Sequence, residues 1–133
     1  MRYLGIDYGE RKLGLAISDG ILAEPYNRKL RTKNSELKTI NQKLEFIKDI
    51  IVREKIEQVV LGLPENKIGK KVKEFGEMLK RLTGLPVEYS DETLTSQEAV
   101  AKMIEAGRGE KYRQEGEHNI AACLILQNYL NNH

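Results

Sequence analysis

One misplaced carboxylate constrains this chain more than any other feature. Asp7 lies inside Leu4-Gly5-Ile6-Asp7-Tyr8-Gly9, an apolar run that reads as a strand covered on both faces. An ionised carboxylate buried without a partner is strongly destabilising or gives up its charge. A fold that keeps Asp7 charged must therefore bring a cation or hydrogen-bond donors to it. Gly5 and Gly9 flank it and leave room for close approach to the backbone. A second apolar run, Leu13-Gly14-Leu15-Ala16-Ile17-Ser18, follows after Glu10-Arg11-Lys12, so the start of the chain reads as an antiparallel hairpin.

The rest of the chain supplies elements that can meet this hairpin. Tyr26 to Thr32 reads as a third, edge strand, because charges interrupt it and Pro25 precedes it. Asn34 or Ser35 is the expected cap of a helix whose apolar stripe is Leu37, Ile40, Leu44, Ile47 and Ile51. Gln58 to Leu63 is a short continuous apolar run, as in a buried parallel strand, and Gly62-Leu63-Pro64 ends it. Val72, Phe75, Leu79 and Leu82 mark a second amphipathic helix, stopped at Gly84 with Pro86 beyond. Pro86 to Ser90 is the next strand and delivers Asp91-Glu92 at its carboxyl end. Thr95-Ser96-Gln97-Glu98 is a capping box opening a helix to about Ala106, and Gly107 to Gly116 reads as a polar, mobile connection. The last helix, Glu117 to Asn131, is apolar on most sides and should be a buried packing element.

Right-handed crossovers turn this order into an α/β fold with a mixed five-stranded sheet, order 3-2-1-4-5. Strand 2 is antiparallel and helices flank the sheet. Sites in open α/β sheets form beyond the carboxyl ends of the parallel strands. That edge should gather Asp7, the Gly62–Asn66 loop and Asp91-Glu92. With 133 residues the expectation is a single domain, 1–133. The longest apolar stretch near the C-terminus, Ile120 to Leu126, is far shorter than the ~20 residues of a membrane helix, and no secretory leader opens the chain. A cytoplasmic protein with no membrane partner is expected. The lone Cys123 lies in that apolar run and reads as a buried thiol.

Carboxylates gathered at one edge repel one another unless cations sit between them. Hard oxygen ligands that leave coordination positions open suit Mg²⁺ or Mn²⁺. Such ions serve phosphodiester cleavage. A third ligand should come from the last helix, which offers Glu117 and His118 in its first turn. His118 is followed at helical spacing by Ala121, Ala122, Ile125 and Tyr129, whereas Glu117 has its own stripe through Ile120 and Leu124, so periodicity leaves the choice open. Plainer roles exist for each: a turn hydrogen bond for Asp7, surface charge for Asp91 or Glu92, a cap for His118. The net charge of +2 says little, but Arg28, Lys29, Arg31 and Lys33 cluster, as do Lys67, Lys70, Lys71 and Lys73. Such clusters neutralise phosphates, or simply form solvated faces.

Four ordered blocks carry a resemblance. Gly5-Ile6-Asp7-Tyr8-Gly9, Gly62-Leu63-Pro64 with Asn66, Asp91-Glu92-x-Leu94-Thr95-Ser96, and Ala121-Ala122-x-Leu124-Ile125-Leu126-Gln127 resemble the signature blocks of the YqgF (RuvX) family across essentially the whole chain. The resemblance implies an RNase H-like fold related to Holliday-junction resolvases. It also implies a nuclease that matures the 5′ end of pre-16S rRNA in the bacterial cytoplasm. The family's acidic site falls on Asp7 and Glu92, with the third position on His118. Three departures stand out: His118 where the family usually has Asp, Thr93 where many members have Arg, and a shorter loop after Asn66.

The leading expectation is a divalent-metal-dependent endonuclease on precursor rRNA. Asp7, Glu92 and His118 would hold Mg²⁺ or Mn²⁺, and Arg11, Lys12, Asn66, Lys67, Lys70 and Lys71 would contact substrate. Two alternatives are a junction-DNA resolvase, which needs a dimer, and a non-catalytic nucleic-acid-binding factor whose site has decayed at His118. A monomer or weak dimer is expected. Asp7-x-Gly9 followed by Gly14 also resembles the phosphate loop of the sugar kinase and actin superfamily, but those proteins bind nucleotide between two domains, which this length does not supply.

Overall fold

The computed structural model describes residues 1–9, 13–26, 39–63, 68–91 and 117–133, without the side chains of Ile68, Asp91, Glu117 and His118. Strand β1 (Tyr3–Tyr8) pairs antiparallel with β2 (Leu13–Ser18), placing Tyr3 opposite Ser18 and Asp7 opposite Gly14. On its other side β1 runs parallel to β4 (Gln58–Leu63), from Tyr3 opposite Gln58 through Ile6 opposite Leu61. β4 in turn pairs parallel with β5 (Val87–Asp91), and a short β3 (Ala23–Pro25) closes the far edge beside β2. The order is β3-β2-β1-β4-β5, as the crossover rule requires.

The third strand lies earlier than the sequence suggests. It spans Ala23–Pro25 instead of starting at Tyr26. Gly20, at φ +118°, turns the chain sharply after β2, and its N–H donates to Ser18 Oγ at 3.0 Å. Pro25 is tolerated inside β3 because the strand is an edge. Tyr26 still donates its N–H to Leu15 O at 2.9 Å, continuing the ladder by one bond. Residues 27–32 lie outside the described residues.

Helix α1 (Ile40–Glu54) has its cap at Thr39, not at Asn34 or Ser35, which lie outside the described residues. Thr39 Oγ1 accepts from Gln42 N at 3.1 Å, while Gln42 Oε1 accepts from Thr39 N at 3.2 Å. This reciprocal Thr-x-x-Gln pair satisfies two orphan donors. The buried stripe includes Leu44, Ile47 and Ile51 as expected, and adds Phe46 and Ile50. The helix ends at Lys55, in the left-handed region at φ +53°. Helix α2 (Ile68–Thr83) buries Val72, Phe75 and Leu79 completely, but Leu82 is exposed. Gly84, at φ +72°, donates to Lys80 O at 2.8 Å and stops the helix one residue after Thr83. The helix expected from Thr95 lies outside the described residues.

The sheet separates two apolar layers. On one face Leu4, Ile6, Val59 and Leu61 pack with Ile47 and Ile50 of α1 and Phe75 and Leu79 of α2. On the other, helix α3 (Glu117–Asn132) presses Ile120, Ala122, Cys123, Ile125 and Leu126 against Ala16, Ala23 and Val60. α3 approaches closely because β1 offers no side chain at Gly5. A Cβ there would stand 2.8 Å from Leu126 Cβ and 3.1 Å from the Ala122 carbonyl oxygen. The strand's glycine is thus a packing requirement as well as a gap beside Asp7.

Candidate active site at the carboxyl edge of the sheet

Alternation along β1 decides which way its residues face. Leu4 and Ile6 enter the layer under α1 and α2, with Tyr8 packed against it, whereas Tyr3 and Gly5 meet α3. Asp7 therefore belongs to the α3 side, one step beyond Gly5 toward the carboxyl edge. It is half-buried. Its partner across β2 is Gly14, and the residue after the last β4 pairing partner, Leu61, is Gly62. The carboxylate thus emerges among residues without side chains, in the kind of space a ligand can enter.

α3 runs antiparallel to β1. Tyr129 lies near Tyr3, with ring centroids 6.4 Å apart, and Leu126 and Ala122 meet Gly5. Asn119 Oδ1 accepts from Leu15 N at 2.9 Å, and Leu15 is the partner of Ile6. One helical turn before Ala122 is His118, so the start of α3 stands at the level of Asp7. His118 shares the i, i+4 row of Ala122 and Leu126, whereas Glu117 belongs to another row.

β5 contributes from the far side. Val87 and Tyr89 pack toward α1 and α2, and Ser90 is buried, its Oγ accepting from Asn128 Nδ2 of α3 at 3.3 Å. Ser90 is therefore on the α3 face, two positions before Glu92. Glu92 itself lies outside the described residues, as do Arg11, Lys12, Asn66 and Lys67. Lys70 and Lys71 are exposed on the first turns of α2, which begins just beyond the carboxyl end of β4. Among the described residues, no three His, Cys, Asp or Glu side chains group closely enough to hold a metal. By chemistry, the Asp7 carboxylate at this glycine-lined edge is a hard oxygen donor of the kind that Mg²⁺ or Mn²⁺ accepts.

Three features escaped sequence reasoning. Lys43 is buried, 3 % exposed, with Nζ donating to Tyr8 Oη at 3.3 Å and lying 4.5 Å from the centre of its ring. Its signal was a lysine within the apolar stripe, three residues after Ile40 and four before Ile47. Gln127, part of a signature block, holds the edge hairpin: its Oε1 accepts from Ala23 N at 2.9 Å and its Nε2 donates to Ile21 O at 3.0 Å. Tyr89 has its phenol pKa raised, first by burial and then by the Glu77 carboxylate.

Comparison with known proteins agrees with this architecture. A protein of Agathobacter rectalis named "Putative pre-16S rRNA nuclease" is 40% identical over 136 residues, covering 98% of this chain and 94% of that protein. A protein of the same name from Lactobacillus helveticus is 37% identical, covering 100% and 98%. The fold resembles that of Thermus thermophilus RuvC in complex with a Holliday junction substrate, at TM-score 0.64 and 17% identity, covering 99% of this chain and 94% of that one. A second solved structure of Thermus thermophilus RuvC gives a TM-score of 0.60 at 19% identity, covering 99% of this chain and 95% of that one. The sheet is thus that of the RNase H-like fold. A family model described as "RuvX: Holliday junction resolvase" matches residues 1–132, and the chain belongs to the RuvX family.

Proposed function

We propose that this protein is a divalent-metal-dependent endonuclease that processes the 5′ end of pre-16S rRNA in the cytoplasm. The observation that carries the proposal is the position of Asp7. It is a strand carboxylate on the α3 side of the carboxyl edge, next to Gly14, with the first turn of α3 at its level. The names of its relatives supply the substrate.

In this reading Asp7, Glu92 and His118 hold Mg²⁺ or Mn²⁺. A bound ion of this kind supplies Lewis acidity to a phosphodiester. Glu92 would continue the alternation of β5, two positions after Ser90, and so come to the face that Asp7 occupies. His118, on the row of Ala122 and Leu126, would complete the set and could accept or donate a proton at a ring nitrogen. With a neutral imidazole in place of a carboxylate, the set carries less negative charge and should hold a second ion weakly. Arg11, Lys12, Asn66, Lys67, Lys70 and Lys71 would hold substrate phosphates and fix its register, in an interface sensitive to salt.

The family description and the junction-bound RuvC favour four-way junction DNA as a second substrate reading. One assay separates the readings. Precursor 16S RNA and a four-way DNA junction are incubated with Mn²⁺ or Mg²⁺ and with wild-type protein or Asp7→Asn. Cleavage of the RNA by wild type alone, with RNA binding retained in the variant, is expected. Cleavage of the junction only, by a dimer, transfers the assignment to DNA. RNA binding with no divalent-ion binding identifies a non-catalytic factor.

A further inference from the structure

We propose that Lys43 is a positioning residue for Asp7, acting through Tyr8 across the sheet; the proposal rests on the reading of Asp7 as a metal ligand. Lysine is among the residues least often fully buried, because its ammonium loses hydration. Here it occupies a site on the inner face of α1 that a methionine or leucine would fill without that loss. Its Nζ lies over the Tyr8 ring, 4.5 Å from the centre and 3.3 Å from the hydroxyl oxygen. Phe75 of α2 meets the same ring at a centroid distance of 5.1 Å, tilted by 51°. Tyr8 is therefore held by side chains from both helices of its layer.

Tyr8 is the residue that needs a clamp. The parallel ladder between β1 and β4 runs through Ile6 opposite Leu61, and Asp7 and Tyr8 extend past it. Among the described residues, the strand pairing at their level is with β2, through Gly14 and Leu13. A strand end with glycine before and after opens more easily than the strand's centre. Because successive side chains alternate, immobilising Tyr8 on the α1 and α2 face also sets the direction in which Asp7 leaves the α3 face. A cation over the ring and a hydrogen bond to the phenol fix rotation as well as depth, which an apolar contact would not. Lys43 is buried on the α1 and α2 side of the sheet while Asp7 leaves it on the α3 side, so its effect on the site passes through the strand.

The test compares Lys43→Met, which keeps the packed stem, with Lys43→Arg, which keeps the charge, in the full chain. Hydrogen exchange without metal is expected to speed up about tenfold or more at the amides of Asp7 and Tyr8 in Lys43→Met, with Leu4 and the α3 amides unchanged. Lys43→Arg should restore most of the protection. Mn²⁺ affinity measured by calorimetry should fall about tenfold, and kcat on precursor RNA should fall by a similar factor with KM unchanged. Unchanged exchange at Asp7 and Tyr8 in Lys43→Met overturns the proposal. So does faster exchange with Mn²⁺ affinity unaltered, since Lys43 would then only stabilise the strand end. If Lys43→Met does not fold, Tyr8→Phe, which removes the hydroxyl partner alone, is read in the same way with smaller changes. A wild-type chain that cleaves no RNA sinks the nuclease reading, and the Lys43 proposal is then decided by exchange and Mn²⁺ affinity.

Discussion

Replacing Gly5 by Ala should push α3 off the sheet and spoil the site without touching a ligand. The added methyl would stand 2.8 Å from Leu126 Cβ, where ordinary contact begins at 3.4 Å, and 3.1 Å from the Ala122 carbonyl oxygen. Neither obstacle is the end of a flexible side chain. One is a Cβ and the other is helix backbone, so α3 must retreat by about 0.6–1 Å or β1 must bend. Overpacking of this kind costs about 1–3 kcal/mol. Removing a strand glycine returns roughly 0.5–1 kcal/mol of backbone entropy, leaving a net loss of about 1.3 kcal/mol at the middle of the ranges and about 2.5 kcal/mol at most. For 133 residues each kcal/mol moves Tm by about 3.5 °C, so a fall of roughly 4 °C, and no more than about 9 °C, is expected in a thermal melt. Gly5 and Asp7 share the α3 face, and His118 is one turn before Ala122. The same retreat should therefore weaken Mn²⁺ binding measured by calorimetry. A Gly5→Ala protein with unchanged Tm and unchanged Mn²⁺ affinity would refute the close packing of α3 on β1 and the reasoning built on it.

Two further outcomes follow from features away from the site. Lys55 ends α1 at φ +53°, where a side chain is strained and glycine is not, so Lys55→Gly should raise stability by about 0.5–1 kcal/mol in a denaturant titration. Lower stability would mean that the lysine side chain contributes more than its backbone loses. The raised phenol pKa of Tyr89, caused first by burial and then by Glu77, means that the unfolded chain ionises at this position before the folded one. That contribution to stability is complete below pH 10, the ordinary tyrosine value, and is lost as pH rises through the folded pKa. Melts above pH 10 should fall more steeply for wild type than for Tyr89→Phe, and parallel curves would contradict the assignment.

Much of the fold was legible because its signals were local. The apolar runs at Leu4, Leu13 and Val59 mark strands, right-handed crossovers order them, and Gly84 ends α2 where it should. The misplaced elements are those where a local signal competed with a tertiary one. β3 is set by the turn at Gly20 and by Gln127 of α3, more than 100 positions away in the chain, so no pattern within Tyr26 to Thr32 could reveal it. The start of α1 was legible in principle, since Thr39-x-x-Gln42 is itself a capping box, but Asn34 and Ser35 are equally good caps on their own. Leu82 continues the spacing of Val72, Phe75 and Leu79, yet the sheet no longer covers it at the last turn of α2.

For the candidate site, the acid within the apolar run of β1 and the crossover topology placed Asp7 toward the carboxyl end of β1, where the structure has it. They did not reveal the lysine behind it, because a lysine at a helical core position reads as an exception to the stripe and not as part of a clamp. Between Glu117 and His118, spacing alone was undecided. The contact of Ala122 and Leu126 with Gly5 supplies the row to which His118 belongs.

A crystal of the full chain soaked in Mn²⁺, with anomalous scattering recorded near the manganese edge, bears most directly on whether the strand-one acid works by sharing a cation. One strong peak bonded to the Asp7 carboxylate and shared with Glu92 and His118 is the expected result. Manganese bound elsewhere, or Asp7 held only by protein donors while the ion is present, would contradict the account.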